Sequence, residues 1–276
     1  MSISFFAKHT YLLDDPNEPG KVFWQRLTSR VRAEEIATYL GAKMNPTKGY
    51  ENDVCIYVKW YRLDAVKDGA YIDVLDDRHA VERLKGRPGI KVIAMSKPHF
   101  EFLKTVLKNE IVYIPHHHIN FDRVKRTRKR ILNCGYIGSN PTHDVQLNKD
   151  IASRLKKIGL NFIPYYHFDT RQDIINYYRK VDIQVIGHFD RLDNPFYHQT
   201  KIVNAMSFGI PTIASPRLGY TEVKDFFIPV NTMDELVKAA TTLKDPKVYN
   251  QWPKKIIAES EKYHISEIAK LYRQLA

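Results

Sequence analysis

Residues 200–222 read TKIVNAMSFGIPTIASPRLGYTE. The start is a short apolar helix, with Thr200 placed to cap it by accepting a free backbone N–H. Lys201 stands in its first turn, where the macrodipole disfavours a cation by about 0.3–1 kcal/mol. A cation beside free N–H groups is what an anion such as phosphate requires. The plainer alternative is a surface lysine directed at water. Gly209 suits the left-handed position that ends a helix, and Pro211 prevents continuation. A short strand, 212–214, and a loop through Gly219 follow.

Three other groups carry chemistry. Residues 70–75 (AYIDVL) read as a buried strand ending in Asp76-Asp77. Carboxylates at the carboxyl end of a parallel strand face the crevice where α/β proteins bind ligands. Asp76, Asp77 and His79 are therefore candidates for acceptor binding or proton transfer; a helix cap before HAVERLK is the alternative. Alternation turns Asp73 to the other face. Residues 131–136 (ILNCGY) read as a strand running into Gly138-Ser139, where backbone N–H groups can approach a phosphate closely. Arg30 and Arg32, on a helix over 22–42, can reach a phosphate or an acidic acceptor, or lie on a solvated face with Glu34 and Glu35. His116-His117-His118 invites a metal, but consecutive residues of an extended chain alternate sides and cannot all meet one ion. They read as loop residues at a cleft edge.

The residues Lys201, Ala205-Met206, Gly209, Pro211, Ile213-Ala214-Ser215 and Gly219 to Glu222 resemble the donor-site signature of GT-B glycosyltransferases. The nearest pattern is that of the large retaining class, K-x-x-E-A-M-A-x-G-x-P-V-I-A-S followed by G-G-x-x-E. Asn204 falls where that class has a ribose-gripping glutamate, and Phe196 where it has an earlier one. The resemblance implies two Rossmann-like α/β domains facing a cleft, the first abbreviated. It implies transfer of a sugar from a nucleotide diphosphate sugar to a hydroxyl, with retention and without a bound metal or other cofactor. D-x-x-D-D at Asp73 to Asp77 is accordingly not a metal site. The resemblance assigns the diphosphate to Lys201, Thr200, Gly138 and Ser139, the ribose position to Asn204, and the sugar to Gly219, Tyr220, Thr221 and Glu222. The first domain would hold the acceptor, a glycan, a lipid-linked glycan or modified DNA.

The elements needed to position these residues alternate along the chain, which argues for parallel sheets. Strands are expected at 2–7, 53–60, 70–75, 92–95 and 111–114, then at 131–136, 160–164, 181–186, 212–214 and 226–230. Helices are expected at 22–42, 99–107, 144–158, 171–179 and 233–243, with a helical tail from Trp252 packing back on the first domain. Residues 188–199 (HFDRLDNPFYHQ) have the polar and aromatic character of a binding loop. The basic run RVKRTRKR at 123–130 reads as a solvated linker, giving domains of 1–125 and 126–276.

The 276 residues carry 43 Lys+Arg against 31 Asp+Glu, a net charge of +12. Residues 1–130 hold +8 of that excess. Such a balance favours nucleic acid, anionic lipid or phosphorylated substrates. A nucleic-acid-binding protein and a non-catalytic GT-B-like protein are the rivals to an enzyme. No run approaches the ~18 apolar residues of a membrane span. Cys55 and Cys134 lie in apolar strands, suggesting buried thiols in a reducing compartment. The opening residues lack signal-peptide character. These features suggest a cytoplasmic protein, with a peripheral membrane position open to its basic half.

Overall fold

The computed structural model describes residues 2–7, 27–59, 62–138, 145–166, 168, 170–187, 189 and 193–276. The chain divides into two compact units. One comprises 1–117, 195–198 and 265–276, the other 118–194 and 199–264. The division falls at 117/118 rather than at 125/126, because the basic run is fastened to the second unit. Both units are α/β with parallel sheets, as expected.

The first unit opens with strand β1 (Ile3–Ala7), then helix α1 (Leu27–Ser29), a π-helical turn (Arg30–Glu34) and helix α2 (Glu35–Leu40). Strands β2 (Lys43–Met44), β3 (Val54–Val58) and β4 (Tyr71–Asp73) come next. Helix α3 (Arg78–Leu84), strand β5 (Lys91–Ala94), helix α4 (Lys97–Val106) and strand β6 (Ile111–Tyr113) complete the run. The strands form one six-stranded parallel sheet in the order β2-β1-β3-β4-β5-β6. Its central strands read as near-continuous apolar runs and are buried, as a sheet covered on both faces requires.

The π turn inserts a residue into the helical ladder. That breaks the 3.6-residue period that set Arg32 on a solvated face, and Arg32 is instead 1% exposed. Its Nε meets Asp73 Oδ2 at 2.6 Å, and its Nη1 donates to the carbonyls of Ile114 and Pro115, each at 2.8 Å. Asp73, turned from the crevice by strand alternation, thus faces a buried cation. Burial opposes charge on both groups, and each is the other's main compensation.

In the second unit, strand β7 (Asn133–Ile137) leads to helix α5 (Val145–Lys157), strand β8 (Asn161–Tyr165), helix α6 (Arg171–Tyr178) and strand β9 (Ile183–Ile186). Helix α7 (Thr200–Ser207), strand β10 (Thr212–Ala214), a 3-10 segment (Leu218–Phe226) and strand β11 (Ile228–Pro229) follow. Helices α8 (Met233–Thr242), α9 (Pro246–Tyr249) and α10 (Trp252–Ser260) end the unit. The parallel sheet runs β11-β10-β9-β7-β8. One apolar cluster, including Ile151, Leu155, Val185 and Leu236, lies under α5 and α8. Another, with Ile202, Val203, Met206, Val223 and Ile256, seats α7. The last helix, α11 (Ile265–Arg273), belongs to the first unit, where Tyr272 meets the edge of Phe5 at 5.5 Å. Among the described residues, no helix is long and apolar enough to cross a membrane.

Candidate functional site

The start of α7 is the best-defined polar site of the second unit. Thr200 is the first helical residue, not the cap; Gln199 occupies the cap position and makes no side-chain capping bond. The helix begins one residue earlier than its apolar pattern suggested. A buried relay fixes this turn: the Tyr178 hydroxyl donates to Gln184 Oε1 at 2.8 Å, and Gln184 Nε2 donates to the Lys201 carbonyl at 2.7 Å. Gln184 lies on β9, so the sheet itself holds the helix start.

Lys201 Nζ lies 4.6 Å from the centroid of the Tyr136 ring and 3.1 Å from its hydroxyl. The ring face offers a cation about 0.5–1 kcal/mol, enough to offset the macrodipole penalty of similar size. Tyr136 is the penultimate residue of β7 and is itself fixed: the Tyr177 hydroxyl donates to its carbonyl at 3.0 Å. Gly138 stands just past the strand's end. A Cβ there would stand 2.9 Å from the Tyr136 ring, so glycine lets the ring lie flat toward the lysine. Tyr136 was not singled out from sequence. The signal was available, since alternation puts residues 134, 136 and 138 on one side of the strand and its extension.

Gly138 does not present its own N–H to a ligand. It donates to the Tyr165 carbonyl at 3.1 Å, extending the β7–β8 ladder by one residue. Sheet pairing therefore uses the N–H expected at Gly138 to approach a phosphate. Ser139, its expected partner, lies outside the described residues, as do 188 and 190–192 of the loop before α7.

Asn204 is 9% exposed, and its Oδ1 accepts the Ile119 N–H at 3.0 Å. It joins a set of bonds that strap residues 119–126 to α7. Asn120 Nδ2 donates to the Ser207 carbonyl at 2.9 Å, and the Arg126 N–H to the Phe208 carbonyl at 3.0 Å. The ribose position of the resemblance is thus engaged in holding backbone. Gly219, Tyr220, Thr221 and Glu222 lie in the 3-10 segment. Gly219 and Tyr220 are buried, and the Thr221 hydroxyl donates to the Leu218 carbonyl at 2.9 Å. Glu222 Oε2 accepts from Gln199 Nε2 at 3.5 Å, which ties the segment to the start of α7.

The first unit gathers a second set at the carboxyl ends of β4, β5 and β6. Asp77 is the cap of α3: its Oδ1 accepts the Ala80 N–H at 2.9 Å. Asp76 pairs with Lys59 Nζ at 3.0 Å. Partial desolvation would raise the Asp76 carboxyl, whose side chain is nonetheless 63% exposed; Lys59 outweighs that and holds it below the ordinary range. His99 follows the Ser96 cap of α4 and is 0% exposed. Burial, then the charges of His198 and Arg32, push it down to about 4. His116 stacks obliquely on His198 with centroids 4.5 Å apart. Phe196 lies between His99 at 5.0 Å and Phe102 at 5.4 Å, with Arg78 5.1 Å from its centroid.

The three consecutive histidines are buried, not loop-edge residues. His117 Nε2 meets the Val31 carbonyl at 2.8 Å, and His118 Nδ1 accepts the Asn120 N–H at 3.2 Å. Among the described residues, no group of three His, Cys, Asp or Glu side chains could hold a metal ion. Arg30 is half-buried, with its Nε 3.6 Å from Glu35 Oε1. Arg32, as described, is committed to Asp73 and two carbonyls rather than set out for an acceptor.

No protein-family model and no curated protein matches the chain. Among solved structures it is similar to WaaG, a glycosyltransferase involved in lipopolysaccharide biosynthesis, with a TM-score of 0.61, 10% identity and 99% of both chains covered. It is also similar to Anabaena Alr3699/HepE in complex with UDP and glucose, at a TM-score of 0.59 and 12% identity over 99% of this chain and 98% of that one. TarM matches at a TM-score of 0.54 and 14% identity, over 83% of this chain and 51% of TarM. The chain thus spans about half the length of TarM and of the GtfA/B-complex chain. At such identities the likeness defines the fold, and that fold is GT-B.

Proposed function

We propose that the chain transfers a sugar from a nucleotide diphosphate sugar to a hydroxyl of an acceptor, with retention of configuration and without a bound divalent metal. The observation that carries this reading is the Lys201 ammonium, held on Tyr136 at the start of α7 in a unit of GT-B fold. As the sugar departs, negative charge grows on the diphosphate. A fixed cation and a helix amino end stabilise that charge more than the ground state. Because the Gly138 N–H is spent in the sheet, the diphosphate depends on Lys201 and the first turn of α7, with Thr200 alongside. Glu222, tied to Gln199, and the backbone at Gly219 to Thr221 would hold the sugar. Asp76 is the carboxylate left for the acceptor once Asp77 serves as a cap. The acceptor classes that suit a basic protein are a glycan, a lipid-linked glycan or modified DNA.

The HepE structure holds UDP, which makes UDP the first probe. Lys201→Ala should weaken UDP binding about ten- to hundredfold, the range for a hydrogen bond to a charged group, while uridine binding stays unchanged. Isothermal titration of UDP and uridine with both proteins measures this. Equal affinity for UDP in parent and variant would remove Lys201 from the site. Turnover of a sugar nucleotide separates an enzyme from a non-catalytic binder.

A further inference from the structure

The basic run at 123–130 is part of a built surface. Asp182, fully buried, meets Arg126 Nη2 at 2.7 Å and Arg128 Nε at 3.0 Å through one oxygen. Its other oxygen accepts the N–H groups of Leu132 and Asn133, each at 2.8 Å. Two guanidiniums thus share one carboxylate, whose second oxygen is occupied. Lys125, Lys129 and Arg130 add further cations and are exposed.

This run forms one wall of a groove of about 460 Å³. Apart from Asn250, its lining beyond that run is apolar, with Ile131, Phe208, Pro246, Pro253 and Ile257 among it. No carboxylate lines it. A cationic rim over an apolar floor matches a phosphate joined to carbon. The aromatic surface does not suit a base. Tyr249 is 2% exposed, and the Arg126 guanidinium covers its ring at 4.8 Å. A nucleic-acid site of this kind would need an open face for stacking.

The groove lies at the amino ends of β7 and β9 and at the carboxyl end of α7. Lys201 lies at the other end of the same helix, whose eight residues span about 12 Å. A ligand in the groove and a nucleotide at Lys201 would therefore not compete. The carboxyl end of α7 also explains why the run settles here: the Phe208 carbonyl accepts the Arg126 N–H, and cations are favoured at that pole.

We propose that this groove binds the phosphate headgroup of an anionic phospholipid and so holds the second unit at a membrane surface. The headgroup phosphate sits against Lys125, Lys129 and the Arg126–Arg128 pair, and its glycerol carbons lie on the apolar floor. The proposal does not depend on the donor assignment.

The test is co-sedimentation with phosphatidylcholine vesicles, with and without phosphatidylglycerol, at physiological salt. The parent should bind only the anionic vesicles. Lys125→Glu with Lys129→Glu should weaken binding at least about thirtyfold, since each lost cation near such a surface contributes about fivefold and the added carboxylates repel it. Lys108→Glu with Lys238→Glu makes the same change in net charge at exposed positions outside the groove and should keep most of the affinity. Asn250→Trp fills the groove without altering charge and should also lose binding. Equal loss in both lysine pairs, or full binding by Asn250→Trp, would show attraction by net charge and overturn the site. So would a parent that ignores anionic vesicles but binds duplex DNA, or that takes up glycerol phosphate in solution and no vesicle.

Discussion

Arg32 is a residue whose chemistry changes with its neighbours. On a solvated face it would be a free cation for an anionic acceptor. Inside, it joins the π turn to β4 through Asp73 and to the end of β6 through two carbonyls, and it lies 5.8 Å from the Tyr272 ring of α11. Four parts of the first unit therefore meet at one guanidinium. Removing one member of a buried ion pair costs about 3–5 kcal/mol, because the other is left charged and dry. Arg32→Met and Asp73→Leu should each lose about that much stability in urea denaturation. The double variant should lose less than the sum, though not recover fully, since the Ile114 and Pro115 carbonyls would still lack their donor. Strict additivity would show that the pair is not coupled. The same reasoning separates Asp77 from Asp76. The first is engaged by a backbone N–H, the second by a lysine, so their adjacency in sequence conceals different roles.

At the scale of elements, the strands and their order of appearance were legible, because buried parallel strands are short apolar runs with sharp ends. β1, β3 to β10 and helices α4 to α8 fall close to where periodicity put them. The helix over 22–42 was legible as a helix in its described part but not in its faces, because the π turn shifts the period. The donor segment was legible because spacing and residue type agree from Lys201 to Glu222. Its support was not: Tyr136 and Gln184 reach Lys201 from 65 and 17 residues away, and Asn204 reaches Ile119 from 85, which no local pattern records. The histidines were misplaced for a related reason. A polar run after a strand reads as a surface loop, yet His116, His117 and His118 are covered, as is His99 within α4. Their burial has a consequence in pH. His99 is held down to about 4 by burial first, then by His198 and Arg32. It is therefore neutral in the fold and titrates near its ordinary value when unfolded. Stability from this group is full above about pH 6.5 and falls as pH drops toward about 4, by a total near 3 kcal/mol. His116, depressed in the same direction by burial, adds to the slope. Melting temperatures between those limits should fall less steeply for His99→Phe than for the parent. Parallel curves would place His99 in contact with solvent.

The whole molecule pairs a GT-B fold with a net charge of +12, and the proposed reaction can be tested through its acid–base groups. In the first unit, Asp73 is bound to Arg32 and Asp77 to the start of α3. Of the three aspartates at the end of β4, Asp76 stays ionised beside Lys59 and is the one the proposed reading assigns to the acceptor. An inverting reaction needs such a group to take the acceptor's proton; a retaining one of the proposed kind needs it only to orient the hydroxyl. Retention is the expected outcome, so the product of turnover should keep the donor's anomeric configuration. Asp76→Asn should then raise the acceptor KM with kcat and UDP affinity nearly unchanged, the pattern of lost ground-state binding. Activity should also survive EDTA, because on the proposed reading Lys201 and the start of α7 would supply the charge a metal would otherwise bring to the diphosphate. An inverted product, with kcat lost in Asp76→Asn, would make that carboxylate the base instead. Activity abolished by EDTA and restored by manganese would remove Lys201 as the principal phosphate charge.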